Sequence, residues 1–296
     1  MKNIVACIDG SKLTLATCEA SAWGAQKIQS PLTLLHVLDK PMQPVASELS
    51  GQIGLGTQEE LLNELIELDE LRSKVALKHG KQLLDNAKEL AIMRGVDDVT
   101  LLQRHGNLLD TLADLESELS LLVMGRSGED HCAEKSPSEH GSTAKARISQ
   151  AIGSQLENII RSIKSDILVV NEQFNWPRAY MIAFDGSEAS SNLIEKILNT
   201  QLLTGLECHL VMVHADAVKT SAFTNAAARL MQAGLPVTQR VLTGNVDAAL
   251  LNYQQQQQLD LIVMGAYSHT RLRQYFVGSN TTQVLATSVV PVLLIR

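Results

Sequence analysis

Asp185-Gly186-Ser187 closes the apolar run Ala179-Tyr180-Met181-Ile182-Ala183-Phe184, and Asp9-Gly10-Ser11 closes Asn3-Ile4-Val5-Ala6-Cys7-Ile8 in the same way near the start of the chain. Each copy leads to a Val-Met-Gly and then a Gly-Ser: Val123-Met124-Gly125 with Gly153-Ser154, and Val263-Met264-Gly265 with Gly278-Ser279. Landmarks that recur in one order mark two copies of one structural unit. The offset between copies falls from 176 residues to 140 to 125, so the first copy carries two additions, of about 36 and 15 residues, relative to the compact second copy.

Between the landmarks, short β-branched or apolar runs alternate with longer helical patterns, the sequence form of a parallel sheet covered by helices. Strands read as residues 3–8, 32–37, 99–103, 119–124 and 166–170 in the first half, and 179–184, 207–213, 237–242, 259–264 and 290–295 in the second. The expected fold is α/β, with two tandem doubly wound domains of five parallel strands each. The boundaries fall at 1–173 and 177–296, the first domain holding a helical insertion at about 39–98 and a loop insertion at about 129–143. The polar stretch Asn171 to Arg178 joins them. A linker so short permits little independent motion, so an internal pseudo-dimer is expected.

The first insertion opens with Pro41, Pro44, Gly51, Gly54 and Gly56, then becomes helical from Gln58 to Arg94, as one helix or two. Leu61, Leu65, Leu68, Leu71 and Val75, then Leu83, Leu84, Ala87, Leu90 and Ala91, recur at helical spacing, and such a stripe is expected to pack in a core or between domains. Acids come early and lysines later along it, as a helix dipole prefers. The run Gln254 to Gln258 reads as a solvated helix end.

Net charge is −7, from 25 basic and 32 acidic residues, which lacks the footprint of a nucleic-acid or anionic-membrane binder. Aromatics at 3% offer no base-stacking platform. Cys7, Cys18, Cys132 and Cys208 show no paired close spacing and read as free thiols of a reducing compartment, Cys7 and Cys208 as small fillers inside strands. Met1-Lys2 runs directly into a strand and no apolar stretch approaches the length of a membrane span, so the cytoplasm is the expected location.

Candidate chemistry concentrates after the fourth strand of each half. Gly265-Ala266-Tyr267-Ser268 is followed by nine residues and then Gly278-Ser279-Asn280, running into a helix. Glycines there let a backbone approach an anion, and a helix N-terminus adds partial positive charge. The intervening nine residues hold Arg271 and Arg273 and no acid, so a phosphate would be favoured. The same residues could instead simply turn the chain and cap a helix. In the first half, Gly125-Arg126-Ser127-Gly128 is separated from Gly153-Ser154 by 24 residues that include Glu129, Asp130, Glu134 and Glu139, so that site is expected to bind a nucleotide weakly or not at all.

This order of features, an Asp ending the first strand, His-Val-like residues ending the second, Val-Met-Gly entering a glycine-spaced loop with Gly-Ser, and a closing Pro291-Val292-Leu293 strand, resembles the universal stress protein family, as a tandem pair. The resemblance covers nearly the whole chain outside the two insertions. The nucleotide-binding branch of that family uses Gly, two residues, Gly, nine residues, Gly and Ser or Thr. Gly265, Ser268, Gly278 and Ser279 keep this spacing, with serine in place of the second glycine. The resemblance implies an adenine nucleotide (ATP, ADP or AMP, with Mg²⁺ as a possible companion): Asp185 and the backbone of His214-Ala215 near the base, Gly265 against the ribose, and Gly278, Ser279 and Asn280 on phosphates. Asp9, Val37, Gly125, Gly128, Gly153 and Ser154 are the first-half counterparts. It further implies a regulator of stress survival, without an assigned catalytic residue and with weak ATP hydrolysis at most. Pairing through the last strand, common in the family, could here be internal, with a homodimer also open.

Other readings stand beside these. Asp9 and Asp185 suit turns and helix caps. His36 and His214 are expected to be packed or hydrogen-bonded rather than general bases. His131, Cys132 and His140 have no recognised metal-ligand spacing, and neither a nucleophilic triad nor a full Walker motif is present. A nucleotide-free protein that binds a protein partner or a small hydrophobic ligand through the first domain and its insertion is the alternative function. An adenylate-processing enzyme would need positioned acids, bases or lysines that do not appear.

Overall fold

The structure is a computed structural model that describes residues 2–38, 55–127, 154–266 and 279–296, with the side chains of 55–63 and 154 outside that description. In the first half β1 (Asn3–Cys7), α1 (Thr14–Ile28), β2 (Leu32–Leu38), α2 (Leu55–Met93), β3 (Val99–His105), α3 (Leu108–Leu115), β4 (Leu119–Gly125), α4 (Ser154–Ser162) and β5 (Asp166–Val170) follow in order. The second half continues with β6 (Ala179–Phe184), α5 (Glu188–Asn199), β7 (Glu207–Val213), α6 (Ala217–Gln232), β8 (Val237–Leu242), α7 (Val246–Gln256), β9 (Leu261–Gly265), α8 (Ser279–Thr287) and β10 (Val292–Ile295).

The ten described strands join one sheet in the order β3-β2-β1-β4-β5-β10-β9-β6-β7-β8. Each half is therefore a parallel 3-2-1-4-5 unit whose order reverses between its first and fourth strands, the place where doubly wound sheets hold ligands. Leu210, Val211 and Met212 of β7 and Ile262 and Val263 of β9 are fully buried, as a strand covered on both faces requires. One face packs α1, α2, α5 and α6, with Trp23, Leu84, Ile194 and Leu230 in its core. The other packs α3, α4, α7 and α8, with Leu112, Ile159, Leu250 and Val284. Both cores run through the two halves without a break.

The halves meet where β5 and β10 pair antiparallel, Ile167 opposite Leu294, Leu168 opposite Leu293 and Val169 opposite Val292. Leu168 and Leu293 are equivalent residues of the repeat, at the offset of 125 found for the Gly-Ser landmarks. A residue facing its own counterpart marks a pseudo-two-fold axis, as in an isologous dimer. The strands of the two halves consequently run in opposite directions, and their carboxyl ends lie at opposite edges of the sheet. The linker is tied down as well, since Phe174 is buried against Trp23 with ring centroids 5.8 Å apart.

Asp166, at the start of β5, accepts a hydrogen bond from the backbone N–H of Arg296 at 3.0 Å. Burial nonetheless holds its carboxyl above the usual range, against the opposing pull of that bond and of Lys196, Lys2 and Arg296. A carboxyl raised on folding favours the native state at low pH, and that contribution is lost as pH climbs from the unfolded value of about 3.9 through the higher folded one. Asp166→Asn keeps an acceptor for Arg296 and should raise stability at pH 7 by up to about 1 kcal/mol. Urea melts should show the gain vanishing toward pH 3; a loss at pH 7 would contradict the burial assignment.

The described part of the insertion before β3 holds one helix, α2. Gly95 and Gly234, at φ of 82° and 83°, terminate α2 and α6 in the same manner, Val96 N bonding Ala91 O and Leu235 N bonding Leu230 O. Aligned at those ends, α2 with its 39 residues outruns the 16 of α6 by 23 at its N-terminus. The packed part begins at Gly80, which is buried; a Cβ there would lie 2.3 Å from Gln103 Nε2 and 2.5 Å from the His36 ring. His36 Nδ1 is itself bonded to Ile8 O at 2.6 Å, and Gln103 Nε2 donates to the Leu77 carbonyl at 3.2 Å. Gly→Ala inside a helix ordinarily gains about 1 kcal/mol. Here Gly80→Ala should lose about 1 kcal/mol, because relieving the clash breaks one of those bonds; chemical denaturation showing a gain would mean the contact is loose.

Two expectations change. Leu65, Leu68, Leu71 and Val75 do not pack: they are 39%, 51%, 59% and 61% exposed, whereas Leu84, Ala87 and Ala91 are buried. Leu61 lies among the side chains outside the description. The glutamine run is solvated only from Gln255 onward, for Gln254 is buried and donates to Leu259 O at 2.7 Å. Cys7, Cys18 and Cys208 are free thiols, and burial pushes Cys7 and Cys18 up to about 12 and Cys208 up to about 11. Cys132, His131 and His140 lie outside the described residues.

Candidate functional site

At the carboxyl edge of the second half, β9, β6 and β7 are neighbours, and their ends bring Gly265, Asp185 and His214-Ala215 to one rim. Asp185 Oδ1 accepts from Ser187 N at 2.9 Å, and Ser187 Oγ in turn caps α5 by accepting from Ser190 N at 3.2 Å. Asp185 thus serves the turn, with Ser187 as the helix cap, and its other oxygen takes no hydrogen bond from a described residue.

His214 has φ of 59°, in the left-handed region. Its N–H donates to Leu242 O at 3.0 Å and its Nε2 lies 2.6 Å from Gly244 O, so the ring is used to fix the backbone at the end of β7. Ala215 follows, exposed. Gly265 ends β9 opposite Ile295 of β10. Ser279 and Asn280 open α8 and are exposed, while Thr281 behind them is buried. Exposed main-chain N–H groups in the first turn of a helix have no intrahelical partner and attract an anion. Ser268, Arg271, Arg273 and Gly278 lie outside the described residues.

Sequence reading missed Lys219. A Cβ on Gly186, at φ of 78°, would come within 2.8 Å of Lys219 Cγ, so the lysine stem covers the Asp185-Gly186 turn from the start of α6. It also missed what closes the first half. A Cβ on Gly125 would lie 2.7 Å from Leu13 Cδ1, and one on Gly10 would lie 3.0 Å from Leu83 Cδ1. Leu13 is 7% exposed and occupies the space over the glycine that ends β4. The residue at the same distance past the second Asp-Gly-Ser is Ala189, three carbons smaller.

Asp9 Oδ1 accepts from Ser11 N at 3.0 Å and from Thr14 Oγ1 at 3.4 Å, so its triplet also serves as a turn. Val37 lies in β2 opposite Arg104. Ser154 begins α4, and Gly128 and Gly153 lie outside the described residues. Arg126 follows Gly125 but reaches away from its own site, donating through Nη1 to Ala286 O and Ser288 O of the second half, each at 3.1 Å. Burial pulls its guanidinium below the ordinary range, with Glu172 opposing.

The universal stress protein family model matches residues 1–171 and 213–296. The chain belongs to the universal stress protein family. Universal stress protein Slr1230 of Synechocystis sp. (strain ATCC 27184 / PCC 6803 / Kazusa) is 33% identical over 302 residues, covering the whole of both chains. Among solved structures, a universal stress protein from Archaeoglobus fulgidus DSM 4304 superposes with a TM-score of 0.67 at 16% identity, over 99% of this chain and 96% of that one. A putative universal stress protein from Pseudomonas aeruginosa UCBPP-PA14 gives 0.59 at 15% identity, over 100% and 93%. At such identity these structures establish the fold. Among the described residues no helix is long and apolar enough to cross a membrane, and no group of three or more His, Cys, Asp and Glu is placed to hold a metal ion.

Proposed function

We propose that the protein is a cytoplasmic regulator of stress responses that binds one adenine nucleotide per chain, at the carboxyl edge of its second half. The observation that carries this reading is the difference between the two rims. In the first half Leu13 covers Gly125, and Arg126 is committed across the joint. In the second half the positions corresponding to Leu13 and Arg126 are Ala189 and Ala266, the cationic Lys219 stem lies over the Asp185-Gly186 turn, and Asp185, Ala215, Ser279 and Asn280 are exposed.

In this reading Asp185 and the backbone of His214-Ala215 meet the base, Gly265 faces the ribose, and Gly278, Ser279 and Asn280 hold phosphates with Ser268, Arg271 and Arg273 in the same loop. Mg²⁺ would accompany the phosphates. In this reading binding is the output, with weak ATP hydrolysis at most. Calorimetric titration with ATP, ADP and AMP should give one site per chain with micromolar affinity, and mass spectrometry of undenatured protein should find a retained nucleotide. Absence of binding up to millimolar ATP would overturn the proposal and favour a nucleotide-free interaction protein, a reading that the exposed stretch of α2 also invites.

A further inference from the structure

The 23 residues by which α2 outruns α6 extend about 35 Å at the helical rise of 1.5 Å per residue. From Glu64 to His79 no residue is buried, and the buried residues Gly80, Leu84, Ala87 and Ala91 of α2 all lie later, where it packs on α1, β2 and β3. On this arm Leu65, Leu68, Leu71 and Val75, spaced by three, three and four, form one apolar stripe in water. The stripe does not continue the packed face of the helix, because at 100° per residue Gly80, Leu84, Ala87 and Ala91 lie about a quarter-turn or more from the mean direction of the stripe, Leu65 being its nearest member to them.

The charges of the arm divide along its length. Glu64, Glu67, Asp69 and Glu70 precede Leu71 with no base among them, and Arg72, Lys74, Lys78 and Lys81 follow it with no acid before Asp85. The helix dipole does not account for this, since the change of sign falls near the middle of α2 and its last turn holds no base. Asp69–Arg72 at 3.8 Å and Glu70–Lys74 at 3.5 Å span the change, whereas Glu64, Glu67, Lys78 and Lys81 form no ion pair with a described residue.

A helix acidic in one half and basic in the other complements itself when reversed. We propose that the α2 arm is a self-association surface, pairing antiparallel with the same arm of a second copy of this chain. With the two-fold near residue 70, Leu65 faces the partner's Val75, Leu68 faces the partner's Leu71, Glu67 approaches the partner's Lys74, and Glu64 approaches the partner's Lys78. A parallel pair would set acid on acid. The last-strand ladder that could join two separate copies is already filled by β5 and β10 within this chain. The arm leaves from the carboxyl edge of the first half, opposite the rim that holds Asp185, so pairing does not cover that rim.

The test is sedimentation equilibrium of the full chain from about 1 to 200 μM at low and high salt. An apolar contact of about four residues per copy lies at the weak end of stable interfaces, so a dimer with Kd on the order of 10 μM is expected. Raising NaCl from 50 to 500 mM should weaken it several-fold, because the charges attract; strengthening by salt would exclude the antiparallel arrangement. Leu68→Glu with Leu71→Glu should leave a monomer throughout, with unchanged thermal melting because both side chains are exposed. Lys74→Glu/Lys78→Glu and Glu64→Lys/Glu67→Lys should each dimerise poorly alone and recover when mixed. A wild-type monomer at 200 μM, or a dimer indifferent to the Leu68/Leu71 change, overturns the proposal.

Discussion

Ala189→Leu is expected to lower affinity for ATP at least 100-fold while leaving the fold intact. The expectation rests on a comparison internal to the chain: the leucine at the matching position of the first half, Leu13, lies over Gly125 at a distance where not even a Cβ would fit beside it. Placing the same side chain over Gly265 should put three carbons where the ribose must lie, and 100-fold corresponds to about 2.7 kcal/mol. Ala189 is half-buried at the start of α5, where leucine is an excellent helix former, so stability should change by less than 1 kcal/mol. Titration calorimetry reads the first effect and thermal melting the second. If Ala189→Leu binds ATP like the wild type, the nucleotide does not sit against Gly265. The converse change, Leu13→Ala, should cost about 2 to 3 kcal/mol of stability by opening a cavity.

The second large effect belongs to the joint. Arg126→Leu should destabilise the protein by about 2 to 3 kcal/mol, because the Ala286 carbonyl loses a charged donor and the leucine cannot replace it. Asn171 acts beside it, its Nδ2 donating to Ser288 O at 3.1 Å and Val290 O at 3.0 Å. Since both side chains serve the Ser288 carbonyl, Arg126→Leu and Asn171→Ala should be non-additive by at least about 0.5 kcal/mol in a double-mutant cycle. Strict additivity, or a silent Arg126→Leu, would show that the two side chains do not share that carbonyl in solution.

The strands were legible because apolar runs of fixed length between turn signals leave little choice. β6, β7, β8 and β5 begin and end where the sequence reading puts them, and the others differ by at most two residues at either end. Periodicity also identifies which residues of α2 share a side. It does not say whether anything faces that side, which is why the spacing of Leu65, Leu68, Leu71 and Val75 predicts packing in a core or between domains while the four side chains stand exposed. Sequence distance ranks neighbours locally and groups Arg126 with its own glycine loop, whereas its acceptors lie 160 and 162 residues away. Leu13 was overlooked for the same reason, since a leucine after Asp-Gly-Ser gains meaning only once it is known to overhang the end of β4. The rim residues Asp185, His214, Ala215, Gly265, Ser279 and Asn280 were chosen by likeness to a family pattern, and the topology accounts for their common edge.

Leu168 facing Leu293 has a consequence for how such a protein can change over generations. In an assembly of two separate identical chains, any alteration appears at both ends at once, so a rim cannot be closed without losing its twin. Covalent fusion removes that constraint: one end is free to fill in and take on new duties while the other keeps the original chemistry, and the stoichiometry of the two can never drift from one to one.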